Sequence, residues 1–129
     1  FKKKKRFGRT LSNRAPAILL SCLERKLKYH GLKLKKVKTA KVKASQYNHV
    51  DDTYTKKTLN KRWHDFNGIK VQRDLYSSFL LMNMVHDKDL DKIDRELCFK
   101  TFDLFLQHHD ELISKLKKEP HTLKSMGIR

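Results

Sequence analysis

The segment Ile69-Lys70-Val71-Gln72-Arg73-Asp74-Leu75-Tyr76-Ser77-Ser78-Phe79-Leu80 changes its hydrophobic period halfway along. Ile69 and Val71 alternate with Lys70 and Gln72, which reads as a short half-buried strand. From Asp74 onward Leu75, Phe79 and Met82 recur at helical spacing, and the pattern predicts a helix from Asp74 to about Met84. Upstream, Asn67-Gly68 is a hairpin turn signal between Trp63-His-Asp-Phe66 and Ile69-Lys-Val71. The expected unit is strand, turn, strand, helix, with Asp74 delivered at the last junction. On local sequence alone Asp74 is a helix N-cap, because a carboxylate there accepts backbone N–H groups and suits the helix dipole.

Composition sets the bounds on what such a unit can belong to. The chain has 129 residues, 38% hydrophobic and 35% charged, enough for one modest core and too apolar for full disorder. No run approaches the roughly 20 apolar residues of a membrane-spanning helix. The absence of an initiator Met and of a signal-peptide apolar region predicts a cytoplasmic protein and an incomplete chain. Two cysteines, Cys22 and Cys98, are too few for a disulfide framework and read as reduced thiols. A formal net charge of +17 points to a polyanionic partner, of which nucleic acid is the usual one.

The positive charge is concentrated in two stretches. Lys2, Lys3, Lys4, Lys5 and Arg6 form a basic arm over residues 1–9. Lys33, Lys35, Lys36 and Lys38 alternate with Leu32, Leu34 and Val37, a β-like pattern that slips at Lys35-Lys36 and predicts a bulged strand or two short pieces up to Val42. Between them, Ser12-Asn13 is a cap for a core-facing helix striped by Ala17, Leu20, Leu23 and Leu27, with Gly31 as its stop. At the other end His86 to Asp91 reads as a polar break. An amphipathic helix is expected from about Leu90 to Lys118, with Ile93, Leu97, Phe102, Phe105, Leu112, Ile113 and Leu116 on its stripe. His108 and His109 project about 100° apart on such a helix and read as solvated or packing residues. Pro120 ends the helix, leaving His121 to Arg129 as a loose basic tail.

Three pieces of sequence together resemble a known family. A helix leading to Tyr29-His30-Gly31 and a β-like stretch is followed by Lys43-Ala44-Ser45-Gln46, and then, after an insert, by Gln72-Arg73-Asp74 and its helix. This order is similar to the C-terminal part of TnpB/OrfB-type transposon proteins, whose RuvC-like domain is an RNA-guided DNA endonuclease of insertion sequences. The resemblance covers roughly residues 9–83, and the C-terminal helix is also family-like. In much of the family the insert, here about 48–68, is a four-cysteine zinc ribbon. This chain departs from that completely: no cysteine lies between Cys22 and Cys98, and Asn48 stands where the first is expected. His49 and His64 match no structural zinc spacing, so no zinc is expected, and Tyr54, Leu59 and Trp63 are expected to form an apolar cluster in its place.

The resemblance implies an α/β, RNase H-like fold with a basic arm (1–9), the C-terminal half of a RuvC-like domain (10–84), and a C-terminal helix and tail (85–129). It implies that Asp74 is both catalytic and a metal ligand, one of three acidic positions that hold two Mg²⁺ ions for phosphodiester cleavage. Only that position maps here, because no acidic residue precedes Glu24. One carboxylate cannot anchor two hard ions that each prefer about six oxygen ligands. The isolated chain is therefore expected to be inactive, with the remaining N-terminal part of the nuclease as its partner, alongside DNA and a guide RNA. Arg73 is expected on a phosphate or a neighbouring carboxylate, with a purely surface role as the alternative. The alternatives are a non-catalytic basic module that grips nucleic-acid backbone, and a helical interaction protein; the lack of a heptad over 90–118 speaks against a coiled coil.

Overall fold

The Asn67-Gly68 signal is met in full. β3 (Trp63–Phe66) and β4 (Ile69–Gln72) pair antiparallel with Phe66 opposite Ile69 and Trp63 opposite Gln72. Both turn residues have positive φ, 51° at Asn67 and 95° at Gly68, the backbone a two-residue hairpin needs. Asp65 Oδ1 accepts the Gly68 N–H at 2.7 Å and fixes the turn. The computed structural model describes residues 16–58, 60–87, 90–119 and 123–128. The basic arm with Lys2, Lys3, Lys4, Lys5 and Arg6, the Ser12-Asn13 cap and Leu59 lie outside them.

The chain divides into two compact units, residues 1–36 and 37–129. The first contains α1 (Pro16–Tyr29). It ends as expected: Gly31 has φ +69°, its N–H donates to Lys28 O, and the Leu32 N–H donates to Leu27 O, which is a Schellman closure. The expected burial of its stripe is not found. Leu20 and Leu27 are half-buried, whereas Ala17 and Leu23 are exposed, because the described residues of this unit supply no second element to pack on. Residues 32–38 form no strand, since among the described residues no strand pairs with them.

The second unit begins with the short helix α2 (Thr39–Val42), where a strand was expected. Val42 is buried and Val37 packs beside it, so these two apolar positions reach the core from helix and coil, whereas Leu32 is exposed. The Lys38 N–H donates to the Asp91 carboxylate at 3.1 Å and ties this entry to a later hairpin. β1 (Tyr47–Asn48) and β2 (Thr53–Tyr54) make a two-residue pair. β4 runs straight into α3 (Arg73–Met82), and β5 (Met84–Asp87) pairs antiparallel with β6 (Leu90–Ile93). The long helix α4 (Arg95–Lys118) follows, and a 3₁₀ turn (Lys124–Met126) comes last. Among the described residues the sheets are three separate two-stranded antiparallel pairs.

The β5–β6 hairpin replaces the expected polar break and shortens the expected C-terminal helix at its start. Met84 and Ile93 face each other across the hairpin and both are buried, so a strand period governs where a helix was read. Asp94 then caps α4 by accepting the Leu97 N–H at 3.0 Å.

The core forms where α3 and α4 meet the hairpins. Tyr76, Phe79 and Leu80 of α3 are at most 3% exposed, whereas Met82, placed on the stripe by sequence, is 72% exposed. Cys98 is fully buried, and Phe102 and Phe105 of α4 pack against the same cluster. Phe79 stacks on Phe105 with ring centroids 4.5 Å apart. Burying each large apolar side chain here contributes about 1.5–3 kcal/mol, and truncating Leu80 to Ala would cost about 2–5 kcal/mol. No described helix is long and apolar enough to cross a membrane.

Candidate nucleic-acid interface and the Asp74 junction

The junction between β4 and α3 is organised by Gln72. Its side chain is fully buried, and its Oε1 accepts the N–H groups of Asp74 at 2.7 Å and Leu75 at 2.9 Å. Gln72 is therefore the N-cap, and the expectation that Asp74 caps the helix is corrected. A Gln reaches this position because β4 carries it extended (φ −67°, ψ 128°) beneath the first turn. Its Nε2 donates to Asp74 Oδ2 and to Met126 O, both at 3.2 Å. Relieved of capping, the Asp74 side chain is 52% exposed. Its carboxylate sits in the first helical turn, where the dipole favours negative charge.

The backbone beneath this junction is held by a histidine. The Gln72 N–H donates to His109 Nε2 at 3.0 Å, so the ring proton lies on Nδ1 and is donated to Asp110 Oδ1 at 2.8 Å. The His109 side chain is 1% exposed and the His108 side chain is 70% exposed, one packed and one solvated. Within the expected tail the described residues 123–128 are packed, not loose: Ile128 is 1% exposed, and Trp63 Nε1 donates to Gly127 O at 2.9 Å. Gly127 has φ +73°, and a Cβ there would lie 2.8 Å from Arg62 Cβ, so the position requires Gly.

Arg73 turns onto its own chain. The side chain is 12% exposed, and Nη1 donates to Thr58 O and Lys61 O, each at 3.3 Å. Its Nε lies 3.8 Å from Asp74 Oδ1 and is buried without a hydrogen-bond partner. Its hydrogen bonds go to main-chain carbonyls, with the Asp74 carboxylate beside it, so it is not a purely surface residue. Lys33, Lys35, Lys36 and Lys38 are exposed, with Lys36 paired to Glu24 at 2.7 Å.

Two buried histidines in the insert were not foreseen as core residues. His49 is fully buried among Phe66, Phe79, Phe99 and Phe102. Tyr76 Oη accepts the His49 backbone N–H at 3.1 Å, which directs the hydroxyl proton to His49 Nδ1 at 2.6 Å. Burial, with the Arg95 cation second, pushes the His49 pKa down to about 4. His64 stacks flat on Phe66, and the Lys57 ammonium lies 2.6 Å from its Nδ1. Burial first, then Lys57, Arg73 and Lys61, pushes His64 down to about 4 as well. Both rings pack on Phe66 and Tyr76, and of the cluster expected in the insert Leu59 lies outside the described residues. Tyr54 instead packs on Tyr47, and Trp63 packs on His109.

Beside His64 a surface depression of about 770 Å³ opens, walled by Trp63 and His64 and flanked by Lys61, Lys70 and Lys117, with Asp65 and Asp110 also at its edge. Cations at the rim of an aromatic-walled depression can hold phosphates while a base lies against a ring. Among the described residues no group of three or more His, Cys, Asp or Glu side chains converges as a metal site. Asp74 thus offers one carboxylate, and a metal bound there would need further ligands from other chain. Compared with protein-family models, curated proteins and solved structures, the chain matches none.

Proposed function

We propose that this chain is a nucleic-acid-binding segment of a RuvC-like, TnpB-type DNA endonuclease, with Asp74 supplying one carboxylate of its Mg²⁺ site. The net charge of +17 supports the nucleic-acid part most directly, because 31 Lys and Arg residues stand against 14 Asp and Glu. The form of Asp74 supports the nuclease part. A carboxylate freed from capping by Gln72, half exposed and fixed at a strand-to-helix junction, is a preorganised ligand for a hard cation. When bound, the metal would activate a water and stabilise the leaving oxygen. Gln72 and Arg73 would orient the carboxylate.

A second reading is a non-catalytic basic module, and one observation favours it. The groups beside the Asp74 carboxylate are Gln72 Nε2, which donates to it, and the Arg73 guanidinium at 3.8 Å, which balances its charge without a metal. The two separate in a polypeptide that joins this chain to an upstream segment carrying the other two acidic motifs. In that protein Asp74→Asn should abolish Mg²⁺-dependent DNA cleavage while leaving DNA binding and folding intact. Normal cleavage by the Asn variant would leave the binding module as the function.

A further inference from the structure

The helices α3 and α4 enclose an apolar groove that the core leaves open. It measures about 330 Å³, and its walls include Leu75, Phe79 and Met82 of α3 and Leu104, Phe105 and Leu112 of α4. Met82 is 72% exposed and Leu104 56%. Leu104 belongs to a second stripe on α4, formed by Leu97, Thr101, Leu104, His108 and Leu112, which recurs every three or four residues. This stripe runs beside the one that carries Cys98, Phe102, Phe105 and His109 into the core. A helix apolar on two sides packs on two sides. Among the described residues nothing covers the second side, since Leu97, Leu104 and Leu112 are all exposed.

Electrostatics single out this face in a chain of net charge +17. The helix α4 carries five cations against four carboxylates, and α3 carries one of each, so the pair is almost neutral. A strongly basic chain can approach another copy of itself only where such repulsion is small. On one edge of the exposed stripe, Lys100 and Glu111 stand about three turns apart. Among the described residues Lys100 has no ionic partner, and Glu111 has only the His108 ring, at 3.8 Å. We infer, independently of the nucleic-acid proposal, that this face is a homodimer interface in which α4 packs antiparallel on α4 of a second copy, about a two-fold axis at the level of Phe105 and Leu106. In an antiparallel pair the same edge of each helix faces its counterpart, so Lys100 of each copy meets Glu111 of the other. The same register sets Glu96 against Lys115 and Asp103 against His108. The two apolar stripes cover each other, and Met82 and Leu104 lose their exposure. The contact is a short helix pairing, in keeping with the lack of a heptad over 90–118.

Sedimentation equilibrium of the whole chain, freed of nucleic acid, measures the association. The expected species is a dimer of twice the 15.4 kDa chain mass. Leu104→Glu sets a charge into the groove and should weaken the dimer by at least about tenfold. Leu104 is exposed, so this variant should fold, which circular dichroism checks. Ile69→Ser, at an exposed position on β4 outside the groove, should leave association unchanged. Lys100→Glu and Glu111→Lys each set like charges against one another across the axis, and each should weaken the dimer by about three- to tenfold. The double variant restores opposite charges and should return to within about twofold of wild type. A monomer at every concentration, or a dimer indifferent to Leu104→Glu, would overturn the interface and leave the groove to another occupant, such as an upstream segment of a longer chain. A dimer that Leu104→Glu weakens but the double variant fails to restore would overturn the antiparallel register.

Discussion

Replacing Gln72 by Met keeps the volume and flexibility of the buried side chain and removes every polar contact it makes. Three elements should feel the change together. The Asp74 and Leu75 N–H groups lose their acceptor, which at an N-cap costs about 1 kcal/mol within a range of 0.5–2. Met126 O loses its donor at the edge of the core, a further penalty of about 1–3 kcal/mol. The greater apolarity of Met returns at most about 1 kcal/mol. The expected net loss is therefore about 2 kcal/mol, read as a lower urea midpoint with unchanged m-value by far-ultraviolet circular dichroism. Gln72→Glu separates the parts. It retains acceptors for both N–H groups but places a carboxylate against Asp74 and Met126 O, so it should preserve α3 and loosen the C-terminal segment. A Gln72→Met protein within about 0.5 kcal/mol of wild type would show that Gln72 does not cap α3.

Acid should destabilise the fold earlier than its few carboxylates would. His49 and His64 are held near 4 in the folded chain against 6.5 when unfolded, so their stabilising contribution is complete above pH 6.5 and is lost as pH falls towards 4. For fully buried His49 this amounts to about 3 kcal/mol, measurable as a urea midpoint that falls steeply between pH 6.5 and 4; a flat profile there would contradict the burial of both rings. Thiol labelling at pH 8 should modify exposed Cys22 quickly and Cys98 only on unfolding, because burial, with Asp94 second, raises the Cys98 thiol to about 11. Asp74→Asn in the present chain should change stability by less than about 1 kcal/mol, since the half-exposed carboxylate is supported by the dipole, the Gln72 contact and the Arg73 guanidinium at 3.8 Å; a larger loss by urea titration would assign the carboxylate a structural role.

What could be read directly was local. Asn67-Gly68 and Gly31 each act through neighbouring backbone and appear at their expected places, and the α3 helix does too, although its buried face carries Tyr76, Phe79 and Leu80 and not Met82. What failed depended on partners distant in sequence. Leu32 to Val42 alternates like a strand, but strandness needs a second strand, and none pairs with it. Met84 and Ile93 carry a two-residue period that a helical template over 90–118 obscured. Asp94, followed by Arg95 and Glu96, was the available cap signal for the true helix start. Capping by Gln72 was hidden because Asp74 is the better cap by type, and only the extended approach of β4 gives the longer side chain the position. The sequence offers zinc spacing as the only template for His49 and His64, and their burial against Phe66 and Tyr76 has no sequence signature. Asp74 itself could be singled out from sequence; its half-exposed carboxylate and its tie to Met126 through Gln72 could not.

The most direct test of the central claim is an anisotropy titration of a labelled DNA duplex with the whole chain at 50 and 200 mM NaCl. Binding through several lysine–phosphate contacts predicts an affinity that falls steeply, by about 0.9 in log K per log unit of salt for each phosphate neutralised, with little dependence on sequence. Affinity unchanged between the two salt concentrations, or no binding at the lower one, would contradict it.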